Sequence, residues 1–215
     1  MSRPSRALDR KLLDAARRML PESGLSNLSI RDVARRAGVN LGMFHYHFKS
    51  KESFIDRLLQ ETYEDFFISF RDAAEAPGSP IERLRRVLIS FARYVRERRG
   101  FYALLAREAL NGQKQCLGFI ARNFPRHAAI LIGLLRECRS ARLVRPLPVP
   151  VLAAFAMAGM GIPNVLMATL EKNRLRSVFA VPMARFSRMM LSDTTIEARA
   201  DMVMAGLSSP PRKAA

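Results

Sequence analysis

The chain has 215 residues, enough for one large or two small domains, and its 49% of hydrophobic residues suffices for a sizeable core. The formal net charge of +17 predicts an anionic partner. Two cysteines without a CxxC pair, and a charged start without an apolar stretch, argue against a disulfide framework and a signal peptide, so we expect a reduced, cytoplasmic protein.

An amphipathic first helix is predicted near the start of the chain. Its apolar residues recur at helical spacing, at Leu8, Leu12, Ala15, Ala16 and Met19. Proline cannot donate the backbone hydrogen bond that continues a helix. We therefore expect Pro21 to end this helix a few residues early.

Two short helices joined by a tight turn are predicted within residues 28–51. Ser29 is a favourable N-cap for the first, with Asp32 three residues later as an acidic variant of the capping box. Gly38 accepts the left-handed backbone that ends a helix. Asn40 can cap the second helix.

The second of these helices is expected to run from Leu41 to about His47. Its spacing turns Leu41 and Phe44, followed by Phe48, toward the interior. Two helices in this order are typical of a helix-turn-helix, which lays its second helix in the major groove of DNA. The residues left to point outward are Gly42, Met43, His45, Tyr46 and His47.

Residues 8–58 resemble the DNA-binding domain of TetR/AcrR-type transcriptional regulators. The resemblance rests on Ser-Ile-Arg-Asp-Val-Ala, on Ala-Gly-Val at the turn, and on Phe-His-Tyr-His-Phe-Lys-Ser-Lys-Glu-Ser-Phe. Pro21 departs from the family pattern, in which the end of the first helix is uninterrupted. The resemblance implies an all-helical, dimeric repressor with a ligand-binding C-terminal domain.

The resemblance also implies which residues meet DNA. Arg31 and the second helix would approach bases, whereas Tyr46, His47 and Lys51 would lie against phosphates. A cation at the start of a helix is locally unfavourable, which a phosphate near Lys51 would explain. An ordinary solvated face is the alternative. The predicted DNA-binding residues are Ser29, Arg31, Asn40, Leu41, Gly42, Met43, His45, Tyr46, His47 and Lys51.

Seven further helices are predicted downstream, without internal repeats, and one of them lies between Gly100 and Asn111-Gly112. Ser50 is the expected N-cap of a long fourth helix, and Ser79, Pro80 and Glu82 form the start signal of the fifth. The remaining helical stretches are 113–141 with a break or kink at Pro125, 151–170, about 178–191, and about 195–207.

Residues 146–170 carry no charge and are long enough to span a bilayer. Gly159, Gly161, Pro163 and Asn164 lie in the middle of this stretch and favour a helix packed closely against another helix in a soluble protein. The family resemblance places dimer helices here. We therefore expect no membrane association.

An effector cavity is implied by the resemblance, since such regulators need an apolar pocket with few polar groups. Core packing is the alternative for every residue singly. His127 is either a surface histidine or a polar pocket group. The predicted ligand-binding residues are Phe67, Phe91, Tyr94, Phe101, Tyr102, Phe124, Met157, Met160 and Asn164.

Enzymatic motifs such as GxSxG, a P-loop or GxGxxG are missing, so we expect no catalytic residues and no cofactor. No metal site is expected either, because His45 and His47 point about 200° apart on a helix.

The predicted domain organisation is a DNA-binding domain at 1–53, an effector-binding and dimerisation domain at 54–207, and a disordered tail at 208–215. The predicted function is a homodimeric repressor that leaves a palindromic operator in double-stranded DNA when it binds a small hydrophobic effector. The alternative is a nonspecific, nucleoid-associated DNA-binding protein.

Overall fold

The computed structural model describes residues 4–209, with side chains from Ala7 onward. This part of the chain is almost wholly helical, which confirms the predicted all-α class. A two-stranded antiparallel hairpin, β1 Ser177–Val178 with β2 Val181–Pro182, interrupts the helices. The helices are α1 Pro4–Ser23, α2 Ile30–Ala37, α3 Leu41–Phe48, α4 Lys51–Glu75, α5 Pro80–Glu97, α6 Arg99–Leu110, α7 Lys114–Ser140, α8 Val149–Lys172, α9 Met183–Leu191 and α10 Asp193–Leu207.

Pro21 does not end α1 early, so that prediction is wrong. The helix continues to Ser23, and Gly24 follows it with φ 78° while donating its N–H to the Leu20 carbonyl at 3.0 Å. A proline in the last turn removes only one backbone hydrogen bond, and glycine then provides the left-handed exit. Pro125 likewise lies inside α7, which continues across it.

The stretch 178–182 is a hairpin strand and turn instead of the predicted start of a helix. Phe179 and Ala180 have φ values of 49° and 61°, the left-handed conformation that a two-residue hairpin turn requires at both positions. Pro182 then precedes α9 as its N-cap residue. The helical prediction holds from Met183 to Leu191.

The chain forms two compact units. The first comprises the residues up to Glu64 together with Gly100–Arg122, and the second comprises Asp65–Arg99 together with the residues from Asn123 onward. The two units are defined by how compactly their residues pack, and not by function. The predicted functional boundary after residue 53 falls inside α4 and stays a prediction.

Ser208 and Ser209, the first two residues of the predicted disordered tail, make contacts with Val144 instead. Ser208 forms a β-bridge with Val144, and the Ser209 hydroxyl donates to the Val144 carbonyl at 2.8 Å. Residues 210–215 of that predicted tail lie outside the described residues.

The core of the second unit is formed where α5, α8 and α10 pack together. Glycines let these helices approach closely: a Cβ on Gly159 would lie 2.7 Å from Val203 Cγ2, and one on Gly161 would lie 3.1 Å from the Phe91 ring. By length and composition alone α8 could cross a membrane, a property shared by core helices of soluble proteins. The predicted close packing of this helix through small residues is therefore present.

Both cysteines are buried free thiols. Cys116 lies in the first unit and Cys138 in the second. Burial raises the pKa of each thiol to about 11. They are therefore protonated at neutral pH.

Candidate nucleic-acid interface

The turn between α2 and α3 is held by local hydrogen bonds that the sequence predicted. The Ser29 side chain accepts the N–H of Asp32 at 3.3 Å, and the Asn40 side chain accepts that of Gly42 at 2.8 Å. Gly38 has φ 64° and donates its N–H to the Arg35 carbonyl at 3.2 Å. These caps fix where α2 ends and where α3 begins.

The inner face of α3 is aromatic. Phe44 and Phe48 are buried, and their rings lie 5.1 Å and 4.7 Å from that of Phe54 on α4. Leu41 is only half-buried. This cluster anchors α3 to the unit, so that the opposite face of the helix is presented to solvent.

The outer face of α3 carries most of the predicted outward residues. Gly42, Met43, His45 and Tyr46 are exposed, with Tyr46 at 78%. Arg31 on α2 is exposed as well. A short helix with an exposed polar and aromatic face beside cations can present side chains to base edges and phosphates.

His47 does not point outward, contrary to the prediction. Its side chain is 5% exposed, and Nδ1 lies 2.7 Å from Oδ1 of Asp9 on α1. The other carboxylate oxygen of Asp9 lies 3.0 Å from Arg57 Nη1. His47 follows Phe44 by three positions, which places it at the border of the buried face, where α3 meets α1.

Lys51 has a partner within the protein. Its Nζ atom donates to the Ser26 carbonyl at 2.6 Å, which ties the start of α4 to the loop before α2. This bond offers a second explanation for a cation at a helix start. An ammonium group has three donors, so a phosphate contact is still chemically possible and stays a prediction.

The predicted effector residues are divided between the two units. Phe101 and Tyr102 belong to the first, with ring centroids 5.5 Å apart. The second contains Phe67, Phe91, Tyr94, Phe124, Met157, Met160 and Asn164. Phe124 is 54% exposed, and its ring lies 5.1 Å from that of His127, so its assignment to a pocket stays a prediction.

An aromatic cluster occupies the second unit around Phe66, a residue outside the predicted ligand-binding set. The Phe66 ring lies 5.2 Å from Tyr94, 6.0 Å from Phe91 and 5.3 Å from His127. Burial lowers the pKa of His127 to about 4, against an ordinary value of about 6.5. His127 is therefore a neutral group among aromatic rings and not a surface histidine.

Asn164 is fully buried and joins three helices of the second unit. Its Nδ2 atom donates to the Ala92 carbonyl at 3.2 Å and to the Met160 carbonyl at 2.9 Å. Its Oδ1 atom accepts from Arg199 Nη2 at 3.2 Å. Sequence reasoning predicted Asn164 as a polar pocket group and missed Arg199, although Arg199 lies between Ile196 and Val203 on the apolar side of α10.

The family model for bacterial regulatory proteins of the tetR family matches residues 12–58. The match covers most of α1, all of α2 and α3, and the first turns of α4. This match confirms the predicted resemblance to the TetR family over these residues. The helix-turn-helix of α2 and α3 lies wholly within the matched part.

TetR-family relatives agree over this N-terminal part. The chain is 35% identical over 80 residues to the HTH-type transcriptional repressor KstR2 of Mycobacterium tuberculosis, across 37% of this chain and 40% of that protein. It is 30% identical over 79 residues to the HTH-type transcriptional regulator AcrR of Shigella flexneri. The aligned part thus spans about 40% of the length of the curated relatives.

Solved TetR-family structures resemble the chain over most of its length. The ketosteroid transcriptional regulator KstR2 of Mycobacterium tuberculosis superposes with a TM-score of 0.64 at 21% identity and covers 94% of this chain. A TetR family transcription regulator from Marinobacter aquaeolei superposes with a TM-score of 0.70 at 18% identity and covers 98%. At these identities the likeness concerns the fold.

Proposed function

We propose that this chain is a cytoplasmic, homodimeric transcriptional repressor that leaves a palindromic operator when it binds a small, largely apolar effector. The observation that carries the proposal is the helix-turn-helix, in which capped helices hold the outer face of α3 clear of the protein. The formal charge of +17 favours binding to a polyanion. Repressor relatives support the direction of regulation, and an activator is the alternative within this class.

An exposed apolar stripe supports dimer formation. Val151, Phe155, Ile162 and Leu166 are exposed along one side of α8, and Met202 is exposed on α10. The Phe155 ring lies 2.9 Å from the position of a Cβ on Gly206, so the two helices present their apolar side chains together. A second copy would cover this stripe in a two-fold interface of more than about 1,200 Å².

The proposal also includes release from DNA by an effector that binds in the second unit. The second unit combines aromatic rings with few buried polar groups, which is the composition of a pocket for an apolar ligand. An effector that binds the state unable to hold DNA about a hundredfold better would shift the equilibrium by about 2.7 kcal/mol. That magnitude lies within the usual range of allosteric coupling.

A nonspecific DNA-binding protein is the alternative favoured by the charge alone. Footprinting at rising salt on genomic fragments separates the two functions, because nonspecific binding weakens alike at every site. A protected palindrome that survives salt longer than the flanking DNA supports the proposal. Uniform loss of protection across all sequences contradicts it.

Two variants test the docking of the head, the unit that carries α2 and α3. Arg31→Ala should reduce discrimination at one base pair by about 1–3 kcal/mol, whereas Lys51→Ala should weaken all sequences and lower the salt slope by about one unit. Arg139→Ala, an exposed cation on α7, is the matched control and should leave both quantities unchanged. Unaltered affinity and salt slope in Lys51→Ala would mean that Lys51 serves only the Ser26 carbonyl.

A further inference from the structure

Arg199 is a buried cation in the core of the second unit. The residue is 7% exposed, and its hydrogen-bond partner is a neutral amide, the Oδ1 atom of Asn164 at 3.2 Å. The Nε and Nη1 atoms of the same guanidinium are buried without any hydrogen-bond partner among the described residues. An arginine carries five N–H donors, so most of its capacity is unused.

The acidic residues of α10 do not compensate this charge. Asp193 and Glu197 accept hydrogen bonds from Arg93 at 2.8 Å and 2.9 Å. Asp201 accepts from Arg85 at 2.8 Å. All three carboxylates are exposed, so the acids of this helix pair on its surface while Arg199 points into the core.

The protein environment disfavours the charged form of Arg199. Burial lowers the pKa of its guanidinium, and no acidic neighbour in the described part of the chain opposes that effect. A buried charge without a counter-ion is unfavourable, and an apolar side chain of similar size would ordinarily serve a helical core better. An arginine at this position is therefore best explained by an anion that it receives.

The guanidinium geometry suits a carboxylate. The Asn164 oxygen takes one of the two Nη2 hydrogens, and the other hydrogen lies beside either Nε–H or Nη1–H. One complete edge of the planar group is thus available for a two-point hydrogen bond. Asn164 itself is held by the Ala92 and Met160 carbonyls, so it fixes Arg199 and does not compete for the ligand.

We propose that Arg199, positioned by Asn164, binds the carboxylate of an otherwise apolar ligand in the core formed by α5, α8 and α10. The apolar character of the rest of the molecule follows from the core of this unit, in which Met160 on α8 and Ile196 on α10 are fully buried. This inference rests on the proposed function, because it names the chemical class of the effector.

The test compares straight-chain carboxylates with their neutral amides on the full-length protein, without DNA. Acetate, hexanoate and decanoate are each paired with acetamide, hexanamide and decanamide, and binding is measured by thermal shift and calorimetry. We expect at least one carboxylate to bind at least about tenfold more tightly than its amide, as a charged hydrogen-bonded pair requires. Equal binding of acid and amide, or no binding by any acid, overturns the proposal.

Variants locate the effect. Arg199→Met should remove the preference for the acid and raise the melting temperature of the free protein, because it removes an uncompensated buried charge. Arg199→Lys keeps a cation but loses the planar fork, so it should bind the acid more weakly than wild type. Arg85→Met, on the surface of α5, is the control and should bind acids as wild type does. Unchanged acid binding in both Arg199 variants overturns the proposal.

Operator binding is measured separately by footprinting. A protein that binds acids through Arg199 but shows no protected operator contradicts the proposed function and leaves the carboxylate site standing. A protein that protects an operator but shows no preference for acids contradicts the site alone.

Discussion

The imidazole of His47 on α3 is joined to the carboxylate of Asp9 on α1, with 2.7 Å between Nδ1 and Oδ1. Arg57 on α4 approaches the other oxygen of the same carboxylate at 3.0 Å. One acidic side chain of α1 therefore contacts both α3 and α4. The contact with His47 links α1 to the helix that is proposed to enter the major groove.

His47→Ala should lower the stability of the protein and not the number of phosphate contacts. It leaves the buried Asp9 carboxylate without one of its partners, which costs roughly 1–3 kcal/mol. Urea unfolding and the salt slope of operator binding measure the two quantities. His45→Ala, on the exposed side of α3, is the control for stability. An unchanged unfolding midpoint with a smaller salt slope would restore the predicted phosphate contact.

Ile162→Asp should convert the protein to monomers and abolish operator binding. The substitution places a charge in the exposed apolar stripe of α8, where a second copy would have to desolvate it. Sedimentation gives the oligomeric state. Ala129→Asp, exposed on α7, should behave as wild type. A dimer that persists in Ile162→Asp moves the interface to another surface.

Gly159→Ala should destabilise the second unit. The new methyl would lie 2.7 Å from Val203 Cγ2, and such overpacking costs about 1–3 kcal/mol, more than the gain of about 1 kcal/mol in helix propensity. The Val203→Ala change in the same chain should recover part of the loss. Gly133→Ala in α7 meets no atom within 4 Å and should stabilise instead. The measurement is the thermal unfolding of the wild type, Gly159→Ala, the double variant with Val203→Ala, and Gly133→Ala. Equal changes in melting temperature for Gly159→Ala and Gly133→Ala would refute the packing argument.

The low pKa of His127 predicts a loss of stability in mild acid. Its pKa is about 4 in the folded protein and about 6.5 when unfolded, so below about pH 6.5 the unfolded chain binds the proton first. The free energy of unfolding falls from there to about pH 4, by roughly 2 kcal/mol at pH 5. His127→Phe should lack this part of the pH dependence in urea titrations, while His45→Ala should retain it. Parallel curves for wild type and His127→Phe would contradict the assignment.

Local signals made the head predictable from sequence. Ser29, Gly38 and Asn40 act on backbone groups within three or four residues, so their roles follow from position in the chain. The predicted outward orientation of His47 was wrong, and the account of Lys51 was incomplete. Their partners, Asp9 and Ser26, lie far away in sequence. A helical pattern tells which residues share a face but not which other helix meets the edge of that face.

The second unit was harder to predict for the same reason. The apolar spacing placed α8 and α10 correctly to within two residues, yet the hairpin before α9 depends on Phe179 and Ala180 adopting a conformation that neither residue type favours. Arg199 was a missed signal: a cation between Ile196 and Val203 breaks an otherwise apolar face. Such an interruption marks either a surface position or a group that needs a counter-ion.

The two buried thiols decide how the protein can be labelled. The thiolate is the reactive form of cysteine, and a pKa of about 11 leaves Cys116 and Cys138 almost entirely as thiols at neutral pH. A cysteine introduced at an exposed position such as Glu22, near the end of α1, would react with spin labels ahead of both. Distances between labelled heads of the proposed dimer can therefore be recorded, with and without the proposed carboxylate ligand, on a chain that keeps its native cysteines.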